Sequence, residues 1–326
     1  MRNILSLLIN NQSLSQEEAR LNLLKIGLGE INPAQIAAFL MGIQSKGISV
    51  EEMEGFRDAM LELAINIDLS AFDAMDVCGT GGDGKDTFNI STTAAFIVAG
   101  AGQNVAKHGN HGVSSAVGSS TVLEYLGVEF SNDVEFLKSK IETAGICYLH
   151  APLFHPAMRF VGPIRKELGI KTFFNILGPL LNPSKVKKQI TGVYDQKVFD
   201  LYHQIMLRTD MDFAIIYDVA GYDEVSLTAD FQTGTKHGIE IHSIEKFNKY
   251  AQSELSGGET LEDSAKIMVN ILENKGTKAQ TDVAITNAGL ALSIARNYSL
   301  EAGIDQATES LKQGKALRSL KILIQK

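Results

Sequence analysis

The chain has 326 residues, of which 44% are hydrophobic and 21% are charged, a balance that is ordinary for a soluble globular protein with one large domain and a smaller one. The formal net charge of −8 argues against a broad nucleic-acid surface, which would be basic, and no apolar run reaches the roughly 20 residues that span a bilayer. Two cysteines, Cys78 and Cys147, are too few for a disulfide framework or a zinc site, which indicates a reducing, cytoplasmic setting.

Helix signals dominate the first ~70 residues. The opening segment 1–11 is too short an apolar stretch for a secretion signal, and it predicts an amphipathic helix. Ser15 and Ser49 each precede a glutamate by three residues, the spacing of a capping box, so a helix is expected to start after each. Asn32-Pro33 predicts another helix start, with Gly47 at its end. We expect a bundle of small helices, which is also a candidate subunit interface.

From Asp73 onward, short apolar segments alternate with helical stretches, which indicates an α/β domain with a mostly parallel sheet. The candidate strands are Met75–Cys78, Asn104–Ala106, Ile146–Leu149, Ile190–Val193 and Phe213–Tyr217. The candidate helices lie near 92–101, 119–126, 133–144 and 197–208. Ligands bind beyond the carboxyl ends of the strands in such sheets, so the loops after the strands are expected to carry the chemistry. The polar stretch 225–260 is hard to assign.

Two candidate anion-binding segments follow the first strand. The segment 79–84 reads Gly-Thr-Gly-Gly-Asp-Gly, and its backbone N–H groups could converge on an anion or simply form a tight turn. It matches neither a Walker A loop nor a dinucleotide fingerprint. Asn89–Thr93 precedes an apolar helical run, where its hydroxyls could cap the helix or its N–H groups could bind a phosphate. The two segments together favour phosphate binding more than either does alone.

The densest polar segment is Lys107–Ser115, which reads Lys-His-Gly-Asn-His-Gly-Val-Ser-Ser and is followed by Ser119. It comes directly after a candidate strand and offers a cation, two imidazoles, an amide and several hydroxyls. Lysine and hydroxyl groups are good phosphate ligands. The segment therefore predicts a second set of contacts to an anionic substrate.

Later segments add a candidate carboxylate clamp and a candidate metal site. The planar guanidinium of Arg165, which follows His155 by ten residues, could clamp a carboxylate. Asp223 and Glu224 are adjacent in the loop after a candidate strand. Such a pair is often only a polar turn, but Mg²⁺ prefers one or two carboxylates together with phosphates and waters. Beside phosphate-binding loops, the pair is a candidate Mg²⁺ site.

Taken in chain order, these segments resemble the anthranilate phosphoribosyltransferase family, and the similarity runs over essentially the whole chain. The glycine-rich loop Gly79–Asp83, the segment Lys107–Ser115 and the pair Asp223-Glu224 are each modest signals alone, but their combination is specific. Pro33–Leu40 is also similar to the family's helical domain.

The resemblance implies both an architecture and a reaction. The implied fold is of the nucleoside phosphorylase/phosphoribosyltransferase type and has two domains joined by a hinge. The smaller, N-terminal domain is helical and comprises residues 1–70, joined by helices from about 155–185. The larger, α/β domain comprises residues 71–326 and has a mostly parallel central sheet. Phosphoribosyl pyrophosphate (PRPP), bound between them with two Mg²⁺ ions per subunit, would donate its 5-phosphoribosyl group to the amine of anthranilate. The products would be N-(5-phosphoribosyl)anthranilate and pyrophosphate, in a step of tryptophan biosynthesis. A homodimer through the helical domain is also implied.

The resemblance further implies the residues of the site. PRPP is expected to contact Gly79, Gly82, Asp83, Thr87, Asn89, Ile90, Ser91, Thr92, Lys107, His108, Gly109, Asn110, His111, Gly112, Val113, Ser114, Ser115 and Ser119. Anthranilate is expected to contact Gly79, Asn110, Arg165, His108 and His155. Mg²⁺ is expected to bind Ser91, Asp223 and Glu224. One position departs from the family pattern, because His111 stands where the family commonly has Arg, and this puts one phosphate contact in doubt.

The implied reaction needs neither a strong base nor a covalent nucleophile, because an aniline-type nitrogen is already neutral at pH 7. We expect both cysteines to be inert. The leaving pyrophosphate would be stabilised by Mg²⁺, Lys107 and loop amides, and Arg165 would orient the anthranilate carboxylate. Closure of the domains would position the two substrates.

Two alternatives compete with this assignment. A pyrimidine nucleoside phosphorylase of the same fold also breaks a bond at ribose C1, but that family carries an Arg-Gly-Leu-Gly-His-Thr-Gly-Gly-type segment that this chain lacks. A non-enzymatic nucleic-acid-binding relative would need a basic surface, which the acidic balance of the chain disfavours.

Overall fold

The computed structural model describes residues 1–112 and 117–325. The strands are β1 (Met75–Gly79), β2 (Val105–Gly109), β3 (Ile146–His150), β4 (Lys188–Val193), β5 (Asp212–Asp218), β6 (Phe231–Thr235) and β7 (Gly238–His242). The α-helices are α1 (Arg2–Ile9), α2 (Gln16–Gly27), α3 (Pro33–Lys46), α4 (Val50–Glu62), α5 (Ile90–Gly100), α6 (Ser119–Tyr125), α7 (Val134–Ala144), α8 (Ala151–Phe154), α9 (Met158–Leu168), α10 (Phe174–Leu177), α11 (Gln196–Leu207), α12 (Leu261–Leu272), α13 (Lys278–Arg296), α14 (Leu300–Lys312) and α15 (Lys315–Ile324).

The chain forms two compact units, each built from two stretches of sequence. The first unit comprises Met1–Ile67 and Ala151–Pro183, and it is helical. The second comprises Asp68–His150 and Ser184–Lys326, and it contains the strands β1 to β7. Within the described ranges, none of the helices combines the length and the apolar character needed to cross a membrane.

In the helical unit, the predicted helix starts are confirmed by their capping contacts. Ser15 and Ser49 both form complete capping boxes, in which the serine and the glutamate three residues later satisfy each other's backbone N–H. Asn32 accepts a hydrogen bond from the backbone N–H of Gln35, so α3 begins at the following proline as predicted. Gly47 ends that helix with a φ of 85°.

The core of the helical unit combines its two stretches of sequence. Phe56 of α4 stacks on Phe173, with ring centroids 4.3 Å apart, and Phe39 of α3 contacts both rings edge-on. The polar part of the same unit includes an ion pair between Lys46 and Glu52, whose side chains are 4% and 0% exposed. The 151–183 stretch therefore contributes to the packing of the N-terminal helices.

The second unit is an α/β unit with a mixed sheet of seven strands, in the order β3-β2-β1-β4-β5-β6-β7. The pairs from β3 to β5 are parallel, whereas β6 and β7 are antiparallel to their neighbours. This confirms the predicted fold class and all five predicted strands. The apolar helices α5 and α13 contact each other and the sheet, and nearly all of the α5 side chains are buried. The parallel strands leave their carboxyl ends at one edge, as predicted for the site.

Strands β6 and β7 were not predicted, because the stretch 225–260 lacks the pattern that marks a buried strand. The sequence of β6, Phe-Gln-Thr-Gly-Thr, has one large apolar residue. Four of the five residues of β7 are exposed, since β7 is the edge strand of the sheet. The backbone pairing of the hairpin therefore forms without a continuous row of buried apolar side chains.

Candidate active site

The loop after β5 approaches the ends of β1 and β4 very closely. A Cβ atom at Gly79, the last residue of β1, would lie 2.3 Å from Oδ2 of Asp223. A Cβ atom at Gly192, in β4, would lie 1.5 Å from the carbonyl oxygen of Asp223. No side chain larger than hydrogen fits such spaces, so the two glycines allow Asp223 to reach the carboxyl edge of the sheet.

A hydrogen bond joins Asp223 to the glycine-rich segment. The backbone N–H of Gly81 donates to Oδ2 of Asp223 at 2.6 Å. The next residue, Gly82, has a φ of 83°, a conformation that L side chains rarely adopt. The sequence left open whether the amides of this segment bind an anion or only form a turn, and at Gly81 the amide donates to the carboxyl group of Asp223.

The second carboxylate of the pair lies at the N-terminus of α5. The backbone N–H of Ser91 donates to Oε1 of Glu224 at 2.9 Å. Asn89, the N-cap residue, uses its side-chain amide to donate to the Val117 carbonyl at 3.1 Å. Ser91 therefore lies inside the first turn of the helix, and a carboxylate occupies the position where a capping oxygen is usually found.

Burial raises the pKa of all three carboxyl groups of the site, and neighbouring carboxylates raise those of Asp223 and Glu224 further. Burial, followed by the charge of Asp83, raises the pKa of Asp223 to about 7. Burial, followed by the charges of Asp223 and Asp83, raises the pKa of Glu224 well above its usual range. Burial also raises the pKa of Asp83, whose Oδ2 is buried and has no hydrogen-bond partner among the described residues. The chain thus places three carboxyl groups together in a buried environment that disfavours their ionisation.

This donor set fits a divalent cation. Among residues 1–112 and 117–325, no three His, Cys, Asp or Glu side chains are arranged as a metal-binding group. Mg²⁺ uses one or two carboxylates and takes its other ligands from substrate phosphates and water. Asp223 and Glu224, with Ser91 hydrogen-bonded to the latter, supply such a set. A cation would offset both the burial and the repulsion that raise their pKa.

Lys107 and His108 belong to β2 itself, whereas the sequence placed them in the loop after it. Lys107 is 2% exposed, and its Nζ donates to the Val77 carbonyl at 2.5 Å. The backbone N–H of His108 donates to Oδ1 of Asp76 at 3.2 Å. The charge of Lys107 lowers the pKa of Asp223, against the larger opposite effect of burial. The strand thus brings a buried cation close enough to act on Asp223.

After β2 the chain folds back onto the start of α6. The hydroxyl of Ser119 and the backbone N–H of Ser120 both donate to the Asn110 carbonyl, at 3.3 and 3.1 Å. The Tyr148 hydroxyl lies 2.8 Å from the hydroxyl oxygens of both serines. A Cβ atom at Gly109 would lie 2.4 Å from that tyrosine oxygen. Gly109, Asn110 and Ser119 are therefore neighbours in space, as expected for one binding surface.

His111 lies at the exposed side of this group. Its backbone N–H donates to Oδ1 of Asn110 at 2.8 Å, and its Nδ1 lies 3.2 Å from the hydroxyl oxygen of Thr121. The imidazole meets the ring of His150 edge-on at a centroid distance of 5.0 Å, and His150 stacks on Phe130. Burial, followed by the charge of His111, lowers the pKa of His150. A predicted phosphate contact thus lies beside another imidazole, that of His150, whose pKa is lowered.

The other predicted PRPP contacts differ in their exposure. Ile90 and Thr92 are buried in the first turn of α5, so their side chains belong to the core. Thr87 forms an isolated antiparallel bridge with Ser256. Gly112 ends the first described range. The predicted contacts that lie outside the described residues are Val113, Ser114 and Ser115.

The helical unit carries Arg165 on α9, in a setting suited to a carboxylate. Its Nη2 donates to Oδ1 of Asn175 at 3.3 Å, and its guanidinium lies 5.3 Å from the ring centroid of Phe174. The same Asn175 oxygen accepts the backbone N–H of Thr172 at 2.9 Å. Nε of Arg165 and the hydroxyl oxygen of Thr172 are buried without a hydrogen-bond partner in the described part of the chain. Burial also lowers the pKa of the guanidinium. Two polar groups thus remain to be satisfied by an acceptor.

His155, also in the helical unit, is 4% exposed. Burial lowers its pKa to about 4, against a smaller opposite effect of a hydrogen bond with the backbone of Leu181. The imidazole is therefore neutral at pH 7, and it can offer a neutral ring rather than a charge to an aromatic substrate.

Both cysteines are free thiols in the interior of the α/β unit. Burial, followed by the charge of Asp76, raises the pKa of Cys78 and of Cys147 to about 12. Almost no thiolate forms near neutral pH, which agrees with the expectation that neither cysteine is a nucleophile.

Several residues that contact or lie near the predicted site residues within one or other unit were not predicted from the sequence. Tyr148 and His150 occupy alternate positions at the end of an apolar strand, and that polar pattern could have marked them. Asp218 ends β5, next to the loop of the carboxylate pair. Thr172 and Asn287 carry no comparable signal, because their importance depends on contacts with residues elsewhere in the fold.

Comparison with known proteins places this architecture in a class. Residues 71–317 match the family model of the glycosyl transferase family, α/β domain, and residues 2–64 match the helical bundle domain of the glycosyl transferase family. The fold and the two matches together define a two-domain glycosyl transferase.

Full-length relatives narrow the class further. The anthranilate phosphoribosyltransferase of Christiangramia forsetii is 49% identical over 99% of this chain and 98% of its own length. The crystal structure of the Thermus thermophilus enzyme matches with a TM-score of 0.92 and 31% identity, covering 98% of both chains. The Saccharomyces cerevisiae enzyme, solved in complex with PRPP and Mg, matches with a TM-score of 0.90 and 27% identity over 99% of this chain and 97% of its own. This chain belongs to the anthranilate phosphoribosyltransferase family.

Proposed function

We infer that this chain transfers the 5-phosphoribosyl group of PRPP to the amine of anthranilate. The products are N-(5-phosphoribosyl)anthranilate and pyrophosphate, and the reaction is a step of tryptophan biosynthesis. One observation carries this conclusion: Asp223 and Glu224 accept hydrogen bonds from the backbone of the glycine-rich segment and of the first turn of α5. These hydrogen bonds place two anion-binding backbone segments next to a candidate metal site. Transfer from a pyrophosphate donor requires such an arrangement to stabilise the leaving group.

We propose Mg²⁺ as the cofactor, with two ions per subunit bound together with PRPP. Ser91, Asp223 and Glu224 are the proposed protein ligands. When bound, Mg²⁺ neutralises the negative charge that develops on the leaving pyrophosphate. The raised pKa of both carboxylates supports the proposal, because they are held together at an electrostatic cost that a divalent cation removes.

The PRPP site is proposed to follow the carboxyl ends of β1 and β2. Its proposed contacts are Gly79, Gly82, Asp83, Thr87, Asn89, Ile90, Ser91, Thr92, Lys107, His108, Gly109, Asn110, His111, Gly112, Val113, Ser114, Ser115 and Ser119. The short contacts among Gly109, Asn110 and Ser119 support a single surface. Ile90 and Thr92 would contribute through their backbone, since their side chains are buried.

Bond breaking at ribose C1 requires stabilisation of the leaving group more than activation of the nucleophile. The aniline-type nitrogen of anthranilate carries an available lone pair at pH 7, and it loses its proton after attack. Lys107 is the proposed cation that attracts the departing pyrophosphate, and its effect on the pKa of Asp223 supports this role. The reaction needs no covalent intermediate, in keeping with the two buried thiols.

The anthranilate contacts are proposed to be Gly79, Asn110, Arg165, His108 and His155. Arg165 binds the carboxylate in this proposal, since its Nε lacks a protein acceptor among the described residues. Asn175 and the ring of Phe174 fix the guanidinium plane, so the side chain is already oriented before substrate arrives. His155 is neutral at pH 7 because burial lowers its pKa to about 4.

His111 stands where the family commonly has Arg, and we propose that it contacts a phosphate of PRPP. A histidine is charged only when protonated, whereas arginine is charged at every working pH. The contact of its Nδ1 with Thr121 holds the imidazole at the edge of the Asn110 surface. The substitution therefore weakens one phosphate contact without removing the site.

We also propose that the protein is a cytoplasmic homodimer that does not bind nucleic acid. Large apolar side chains are exposed on the helical unit, including Ile9 at 80%, Leu28 at 57% and Met41 at 39%, which supports self-association through that unit. The two free thiols suit a reducing compartment, and the net charge of −8 disfavours a polyanionic partner. Retention on heparin at moderate salt would contradict the last point.

The direct test mixes the protein with PRPP, Mg²⁺ and anthranilate and follows the fluorescence of anthranilate. We expect the signal to fall with time, and to stay constant when PRPP is omitted or when EDTA removes the metal. A constant signal in the complete mixture would contradict the proposed function.

A further inference from the structure

We propose that Asp218 and Asn287 are positioning residues, which hold the Asp223-Glu224 loop in the geometry that binds the metal. The inference rests on the proposed function, since it takes Asp223 and Glu224 as the Mg²⁺ ligands. Neither Asp218 nor Asn287 is proposed to touch substrate or metal. Each acts through the backbone of the loop, from the two elements on which the loop rests, β5 and α13.

Asp218 holds both ends of the loop with one carboxylate. It is the last residue of β5 and is fully buried. Its Oδ1 accepts the backbone N–H of Ala220 at 2.9 Å, at the start of the loop. Its Oδ2 accepts the backbone N–H and the hydroxyl of Ser226, at 3.0 and 2.6 Å, at the end of the loop. The carboxylate therefore closes a ring of backbone within which Asp223 and Glu224 lie.

Asn287 holds the residue that follows the carboxylate pair. Its Oδ1 accepts the backbone N–H of Val225 at 3.0 Å, and its Nδ2 donates to the Val225 carbonyl at 2.8 Å. Nδ2 also donates to the Val283 carbonyl, one turn earlier in α13, at 2.9 Å. Val225 is fully buried, and Asn287 is 2% exposed. The amide thus satisfies both backbone groups of Val225, and it is itself fixed to the helix.

These contacts determine where the two metal-binding carboxylates point. Glu224 is bonded directly to Val225, so a rotation of that peptide would move its side chain away from Ser91. Asp223 is confined on its other side by the backbone of Gly192. Residues that hydrogen-bond to metal ligands or to their backbone generally fix the orientation of the ligands before the metal binds. We assign this role to the buried carboxylate of Asp218 and the buried amide of Asn287.

The test separates positioning from general stability. Mn²⁺ is titrated into the full-length protein in the presence of saturating PRPP, and unbound Mn²⁺ is measured by electron paramagnetic resonance. We compare wild type with Asp218→Asn, Ser226→Ala and Asn287→Leu. Asparagine at position 218 cannot accept hydrogen bonds at both ends of the loop, and leucine at position 287 leaves both backbone groups of Val225 unpaired. Each is expected to weaken Mn²⁺ binding, by about 10- to 100-fold for Asp218→Asn and Asn287→Leu and less for Ser226→Ala.

Ser310→Ala is the matched control. It removes a buried hydrogen bond of 2.7 Å from Ser310, in α14, to the carbonyl of Ile97, in α5, and neither residue belongs to the loop. We expect it to lower thermal stability while leaving the Mn²⁺ affinity unchanged. If Asn287→Leu fails to fold, Ser226→Ala and Asn287→Asp still test the positioning role. Asn287→Asp keeps the acceptor for the Val225 N–H and loses the donor to the Val225 carbonyl. Equal Mn²⁺ affinity in all folded loop variants, or an equal loss in Ser310→Ala, would overturn the inference.

A separate variant distinguishes this inference from the proposed function. Asp223→Asn combined with Glu224→Gln removes the proposed ligands themselves. If that protein still binds Mn²⁺ like wild type, the metal assignment is wrong and the positioning role falls with it. If it loses Mn²⁺ while Asp218→Asn and Asn287→Leu bind normally, the metal assignment stands and only the positioning role is contradicted.

Discussion

The backbone N–H of Ser91 donates to Oε1 of Glu224 at 2.9 Å, so a carboxylate from the loop after β5 lies at the N-terminus of α5. The partial positive charge of a helix N-terminus stabilises an anion there. The carboxyl group of Glu224 occupies that position, and the backbone N–H of Gly81 donates a hydrogen bond to the carboxyl group of Asp223. The backbone groups that bind anions and the candidate metal ligands therefore form one connected site.

Removing the charge of the carboxylate pair should abolish metal-dependent activity while sparing the fold. We expect Asp223→Asn with Glu224→Gln to lower turnover by at least two orders of magnitude at limiting Mg²⁺. In EDTA, the variant should be as stable as wild type or more stable, because neutral amides remove the repulsion between buried carboxylates. Initial rates over a Mg²⁺ series and thermal unfolding in EDTA measure the two effects. Near-normal turnover at limiting Mg²⁺ would show that these residues are not the metal ligands.

A single methyl group at Gly79 should displace Asp223. Its Cβ would lie 2.3 Å from Oδ2 of Asp223, so one of the two must move. A shift of about 1 Å in a catalytic site can cost on the order of 100-fold in rate, and we expect a loss of that size in kcat/KM for Gly79→Ala. The matched control is Gly162→Ala, where the added methyl meets no atom within 4 Å. Equal activity of the two variants would contradict the close approach.

The contact of Arg165 with anthranilate predicts a selective effect on one substrate. Arg165→Ala should raise the KM for anthranilate by about 10- to 150-fold, the equivalent of one hydrogen bond to a charged group, and leave PRPP binding unchanged. Arg159→Ala is the control, since Arg159 is an exposed arginine on the same helix that stacks on Phe160. Calorimetry with PRPP completes the test. An equal loss of PRPP affinity would mean that Arg165 binds a phosphate.

His155 should make the protein less stable in acid. Burial holds its pKa at about 4 in the folded state, below the value of ~6.5 expected in the unfolded chain. The unfolded chain therefore binds the extra proton first, and stability that is complete above pH ~6.5 is lost as pH falls towards 4. Between pH 7 and pH 4.5 we expect wild type to lose about 2 kcal/mol more than His155→Gln. Urea unfolding of both proteins at the two pH values checks this. Parallel losses would show that the imidazole is not held neutral.

Much of this account was predictable because local signals and tertiary structure agree. The serine-glutamate pairs at Ser15 and Ser49 form the capping boxes that their spacing predicts. All five parallel strands appear within a few residues of their predicted bounds, because strands buried in a parallel sheet read as short apolar runs. Because the strands could be located, the loops after them could be identified as candidate binding segments.

The structural features that could not be predicted from the sequence depend on contacts between segments that are far apart in the chain. Asn287 lies in a long apolar helix, and its role depends on Val225, which is 62 residues away. The edge hairpin of β6 and β7 has backbone pairing without a buried apolar row. Lys107 was assigned to a loop, whereas it is a buried strand residue whose ammonium is bound by the Val77 carbonyl. In each case long-range packing outweighs the local pattern.

The most direct test of the account identifies the products of the reaction. The protein is incubated with PRPP, Mg²⁺ and anthranilate, and the mixture is resolved by mass spectrometry and phosphorus NMR; a parallel sample receives a pyrimidine nucleoside and inorganic phosphate. The account predicts phosphoribosylanthranilate and pyrophosphate in equal amounts, and no change in the nucleoside sample. Release of free base and ribose 1-phosphate from the nucleoside, with anthranilate unchanged in the first sample, would contradict it.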